Sequence, residues 1–276
     1  MSLPACATHT VRQSTLFAVP SAGPPQTSHG RADVFVGGSG STFVDTHSRP
    51  ASETSGSWLT QGQLDGQVAV RVHRVVAVRA AGFVAIPEGA VAPDPTTLER
   101  PSKVAFGAGP IVSVGHAAED DPFFARVEAG LIFGFFPSVL LVTREESWWS
   151  SCPCPTRREE HLGLMPIVHG GLSAGYWVTD FLALSGGIVL RNQPRSAFRG
   201  EFSVGPRSGE ARIDFGDLAG IPWVAAELEI ERMVGIVAQV QLPILGDQLF
   251  GPTLSIGVRG VIGTGPRTVP EMTEPE

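Results

Sequence analysis

The sequence predicts an all-β fold: an antiparallel up-and-down transmembrane β-barrel of about ten strands, within a range of eight to twelve. Three observations predict it: period-two alternation in long segments, connections that alternate between short and long, and an unusual composition. The alternation is clearest from His161 to Arg191. In its first arm Leu162, Leu164, Val168, Leu172, Ala174 and Tyr176 share one parity, while His161, Gly163, His169, Gly171, Ser173 and Gly175 share the other. In its second arm Leu182, Leu184, Ile188 and Leu190 alternate with Ala183, Ser185, Gly187 and Val189. Successive side chains of a strand point to opposite faces, so two such arms around the short knot Tyr176–Asp180 read as a hairpin.

The connections give the second signal. Short links near His73, Glu119, Trp177 and Arg232 alternate with longer ones at 47–62, 87–101, 144–160, 192–221 and 243–250. Bacterial barrels are built this way, with short periplasmic turns, longer outer loops and an even strand number. The strands run through Ala32–Val44, Gln67–Val72, Val76–Ile86, Val104–Val114, Phe123–Thr143, the two arms above, Trp223–Glu231, Val234–Leu242 and Thr253–Ile262. Weak alternation within 192–221 leaves room for an extra hairpin. Trp223, Ala226, Ile230, Met233 and Val237 also fit helical spacing, but Val224, Ala226, Leu228 and Ile230 alternate with Glu227, Glu229 and Glu231, and strand is the preferred reading.

Composition supports the same fold. Of 276 residues, 42% are hydrophobic and only 17% charged, against about a quarter for an ordinary soluble domain, and 33 are Gly. The longest apolar stretch, Ala129–Val142, is interrupted by Pro137 and falls short of the roughly 20 residues of a spanning helix. A net charge of −7 argues against nucleic acid as a partner.

Three regions follow: 1–31 as a disordered, lipoprotein-like tether or signal remnant, 32–263 as the barrel, and 264–276 as a polar tail. Leu3-Pro4-Ala5-Cys6 resembles a lipobox and makes Cys6 the lipidation candidate, with a free Cys as the alternative. The charged and hydrophobic parts of a signal are missing, as a start assigned inside a longer signal would explain.

Sorting strands by parity gives an apolar face and a polar one. The polar face collects Arg71, Arg79, Arg126, Glu128, Glu227, Glu229, Glu231 and Arg259, together with Gln239 and Gln241. In a membrane barrel this face fills the lumen, where the charges pair into a network that plugs it, because unpaired buried charge is costly. In a soluble β-sandwich it would be ordinary surface. Trp148, Trp149, Tyr176, Trp177 and Trp223 are expected in aromatic girdles at the two boundaries of the membrane.

Gly175-Tyr176-Trp177-Val178-Thr179-Asp180-Phe181-Leu182-Ala183-Leu184 resembles the strand–turn–strand units of small bacterial outer-membrane barrels of the broad OmpA/OmpW-like type. Val72–Arg79 and Glu231–Ala238 are similar units. The resemblance implies the bacterial outer membrane, with its lipid as the partner. The chain departs from the family in ending on a tail rather than on a strand with a terminal aromatic residue.

Motifs for chemistry are few. Gly171-Leu172-Ser173-Ala174-Gly175 matches a nucleophile elbow, but no His follows Ser173 and the match sits inside a strand. Ser173 and His169 share a face four residues apart, about 13 Å along a strand, too far for a nucleophile–base hydrogen bond. They define the remote alternative of an envelope hydrolase. Cys152 and Cys154 are disulfide candidates in an outer loop, with free thiols or a metal site, for which His161 would be a neighbour, as alternatives. Gly37–Ser41 lacks the Lys of a phosphate loop. The expected function is non-enzymatic, structural or interactive, with a largely plugged polar lumen and no cofactor or metal. The alternatives are a narrow channel, a binder or transporter of a small hydrophobic ligand, and a soluble β-sandwich binding domain.

Overall fold

The computed structural model describes residues 9–15, 32–44, 58–90, 102–117, 122–144, 157–199, 210–231, 233–242 and 253–262. They form eleven strands: β1 (His9–Thr15), β2 (Ala32–Val44), β3 (Trp58–His73), β4 (Val76–Ala90), β5 (Ala105–Ala117), β6 (Phe123–Arg144), β7 (Arg157–Trp177), β8 (Leu182–Arg199), β9 (Glu210–Ile230), β10 (Val234–Gln241) and β11 (Thr253–Ile262). From β2 onward each strand pairs antiparallel with the next, and β11 returns to β2, so β2–β11 close a ten-stranded barrel. Closure removes the unpaired edges that an open sheet would expose.

The last residues of β3, β5, β7 and β9 lie at one end of the barrel and the last residues of β2, β4, β6, β8 and β10 at the other, called here the short-turn end and the long-loop end. At the β7–β8 turn Val178 N donates to Leu182 O at 2.9 Å, and the Thr179 hydroxyl oxygen accepts from Leu182 N at 3.1 Å. That turn, and the one at Arg74-Val75, lie where alternation places them. Trp223–Ile230 is strand, paired with β10 from Trp223↔Gln241 to Ile230↔Val234.

Three boundaries differ from expectation. β3 begins at Trp58, not near Gln67, because Gly62 and Gly66 break the apolar rhythm while Gln63, Asp65 and Gln67 still alternate inward with outward Leu64 and Val68. The described residues of 192–221 add no separate strands. Instead they lengthen β8 to Arg199 and start β9 at Glu210, with pairing down to Arg199↔Glu210. Within the expected disordered tether, His9–Thr15 forms β1, which pairs antiparallel with the outer part of β6 from His9↔Arg144 to Thr15↔Ser138. The cause is geometric: β6 extends past its last pairing with β5, at Phe135, and the edge so left open takes β1.

Outward positions form a continuous apolar belt. Val68, Val78, Val112, Val127, Leu131, Val168, Leu172, Leu228, Ile236 and Ile256 are all exposed. Isolated exposed apolar residues are ordinary, but an apolar face around a closed sheet is not. A closed barrel with this belt is the membrane-spanning form of β-structure, the class built into bacterial outer membranes. Phe123 and Tyr176, paired across β6 and β7, and Phe181 in the adjoining turn are exposed at the short-turn end, the position of an aromatic girdle.

Candidate functional site: the lumen

Inward positions hold two charged networks and two apolar clusters. The larger network is centred on Glu128, on β6. Its Oε2 takes Nη2 of Arg79, from β4, and stands 3.1 Å from Nη2 of Arg126. Its Oε1 is 2.7 Å from Nε2 of His169, on β7. The other ring nitrogen, Nδ1, accepts from Nε of Arg191, on β8, at 3.0 Å. Because Nδ1 accepts, the proton of His169 sits on Nε2 and is donated to Glu128, a neutral imidazole fixed between a cation and an anion. Arg79 also donates through Nη1 to Gln67 Oε1, on β3, at 2.9 Å. Nearby Asp65 accepts from Gln63 Nε2 at 2.6 Å and from Ser39 Oγ at 3.3 Å. The network thus spans an arc from β2 to β8.

The second network lies nearer the short-turn end, on β9, β11 and β2. There Arg259, on β11, meets Glu227 and Glu229, both on β9, the latter at 3.0 Å. Asp33, second residue of β2, is buried beside them in register with Val261. The first network sets Arg79, Arg126 and Arg191 against Glu128 and Asp65, and the second sets Arg259 against three carboxylates, so positive charge is in excess around Glu128 and negative charge around Arg259.

Two glycines make room for the carboxylates. A Cβ on Gly171 would lie 2.8 Å from Glu128 Cγ, and one on Gly235 would lie 2.5 Å from Glu227 Oε1. Each carboxylate lies over the bare backbone of a neighbouring strand, a close approach that any side chain would block.

One apolar cluster extends from the Glu128 network toward the long-loop end, and the other sits beside the charged residues, with Phe35 in register with Arg259 and Val237 with Glu227. One joins Phe83 and Ala85 of β4, Ile111 of β5, Ile132 and Phe136 of β6, and Met165 and Ile167 of β7, with Phe83 and Phe136 stacked at 6.1 Å. The other joins Phe35, Val189, Trp223, Ala225 and Val237 from β2, β8, β9 and β10. The interior is therefore mixed, not polar throughout. Alternation concealed this, since Ala81, Phe83 and Ala85 inward and Val84 and Ile86 outward are apolar alike.

Six of the eight charges expected in the lumen are buried there: Arg79, Arg126, Glu128, Glu227, Glu229 and Arg259. Arg71 lies half-buried at the short-turn mouth. Glu231 is exposed in the β9–β10 turn with φ of 50°, outside the alternation that carries Glu227 and Glu229 inward. Trp223 is not a girdle residue. It is 3% exposed inside the barrel, because β9 begins at Glu210 and places Trp223 in mid-strand with the parity of Glu227. Trp177 takes the inward parity beside the turn, half-buried, with its amide donating to Pro122 O at 2.9 Å, while Tyr176 is exposed as expected. Sequence reasoning missed Asp33, Asp65 and Arg191. Extending the series Ala183, Ser185, Gly187, Val189 by one step would have found Arg191. Cys6, Trp148, Trp149, Cys152 and Cys154 lie outside the described residues.

Ser173 and His169 are both buried on the lumen face, but they are not assembled as a nucleophile and base. Both ring nitrogens of His169 are engaged by Arg191 and Glu128, and Ser173 Oγ makes no hydrogen bond. Among the described residues no group of three His, Cys, Asp or Glu side chains is placed to hold a metal ion.

No protein family model matches the chain, and no curated protein matches it. Solved structures similar in shape include an outer membrane channel from Pseudomonas putida F1, at 11% identity and a TM-score of 0.44, covering 89% of this chain and 100% of that one. The outer membrane protease OmpT from Escherichia coli is similar at 11% identity and a TM-score of 0.45, over 84% of this chain and 96% of that one. The transport unit of the autotransporter AIDA-I from Escherichia coli follows at 10% identity and 0.42, over 89% and 94%. Neither activity nor substrate passes from any of them to this chain.

Proposed function

We propose that the protein is a non-enzymatic outer-membrane barrel of structural or interaction role, closed to solute flow by its own side chains. One observation carries this reading: charged groups that would line an aqueous pore are packed away from water, with Arg259 1% exposed and His169 and Arg191 each 2%. A water-filled channel leaves its lining side chains wet, whereas here the guanidinium groups meet carboxylates and imidazole, and two apolar clusters pack in the same lumen. On this reading the chain is a small barrel of the OmpA/OmpW-like kind, anchored further through Cys6, and its outer loops are the parts that meet partners.

The test is ion conductance in planar bilayers. Protein that shows the heat-modifiable gel shift of a folded barrel is expected to give no stable conductance steps in molar KCl at neutral pH. Reproducible open steps under those conditions would favour the narrow-channel alternative and end this reading.

A further inference from the structure

The short-turn mouth contains a pocket that the lumen networks do not fill. It is a cavity of ≈ 40 Å³ between β3, β4, β5 and β6, with Arg71, Arg74, His116 and Arg126 in its wall. Backbone and small side chains at Ala77, Ser113 and Gly115 form its floor. That volume corresponds to about three water-sized centres, enough for a compact polyatomic ion.

The charge of the wall is one-sided: three guanidinium groups and an imidazole, and no Asp or Glu. Arg126 is held from behind by Glu128 at 3.1 Å, which orients it. No described carboxylate pairs with Arg71 or Arg74. Arg71 is half-buried with the inward parity of Gln67 and Ala69, and Arg74 is exposed in the β3–β4 turn. The turn is tied to its neighbour by Gly115 N donating to Val75 O at 2.9 Å, so the two arginines sit on a fixed frame. Across the mouth, Glu227 and Glu229 of β9 line the facing wall, and repulsion there directs an anion toward this side, while Asp33, on the neighbouring β2, is in register with Ala69, two residues from Arg71.

We propose that this pocket is an oxyanion site that takes one phosphate group, either free or on a lipid headgroup at the inner rim of the barrel. Planar guanidinium forks match the oxygens of a phosphate, and several of them around one small cavity outcompete water better than scattered surface charge does. The rival occupant is the chain itself, since the acidic run Glu119-Asp120-Asp121 follows β5 closely in sequence.

The folded barrel in a phosphate-free detergent would be titrated with inorganic phosphate by calorimetry at constant ionic strength. In parallel, native mass spectrometry would count adducts of added phosphatidylglycerol. The proposal expects binding in at least one arm, with affinity reduced on the order of tenfold or more in R71Q/R74Q, whose heat-modifiable shift is unchanged. The arm that responds identifies the source of the phosphate. Binding in neither arm, or equal binding by R71Q/R74Q, would overturn it. So would binding that appears only in E119Q/D120N/D121N, which would show that the chain's own acidic run fills the pocket.

Discussion

Replacing Glu128 with Leu is expected to destabilise the barrel by about 3–5 kcal/mol, because removing one partner of a buried ion cluster leaves its counter-charges uncompensated. Arg79 and Arg126 would lose the carboxylate they share, and His169 would lose the acceptor for its Nε2 proton. Leu fits the volume, so the effect reports charge and hydrogen bonding rather than a cavity. Glu128→Gln keeps an acceptor but not the charge and should fall between. Glu231→Gln, in an exposed turn, should shift stability by less than about 0.5 kcal/mol. The temperature at which the fast-migrating unboiled band disappears ranks all three. An E128L band as heat-resistant as the parent would show that the network does not hold the lumen together.

The second large effect lies one residue from the network, on the other face. Val168→Arg should cost about 2–4 kcal/mol, the range for a cation facing lipid near the middle of the bilayer. Val168 is exposed and central in β7, whereas its neighbour His169 is buried in the lumen. Asp180→Arg, in the exposed β7–β8 turn, should be tolerated. Urea unfolding from lipid vesicles measures both. Equal tolerance of the two substitutions would mean that the apolar face meets water.

The outward face was legible because lipid imposes a simple rule on it. Leu162, Leu164, Val168, Leu172 and Tyr176 had to be apolar at every second position, and all are exposed on the outside. The lumen is subject to no such rule. A lumen side chain can be Glu128 over Gly171, Phe136 in an apolar cluster, or Trp223 against Val237, so period two locates the face without saying what packs there. The same freedom explains the misplacement of Trp223 and Glu231. An aromatic residue next to a presumed loop reads as girdle, and a third Glu in phase reads as lumen, until the true strand ends are known. The partnership of Glu128 with Arg79 and His169 joins residues 49 and 41 positions apart and rests on strand order and stagger, which parity does not contain.

In a closed membrane barrel one face of each strand meets lipid and the other a packed interior. A nitroxide scan along β7, at Leu164, Met165, Ile167, Val168, His169 and Leu172 in lipid vesicles, measures it directly through collision with dissolved oxygen, which concentrates in hydrocarbon. High oxygen accessibility is expected at Leu164, Val168 and Leu172, and low accessibility to both oxygen and a water-soluble quencher at Met165, Ile167 and His169. Uniform accessibility along the strand, or high water-quencher access at the inward positions, would contradict a closed barrel spanning the membrane.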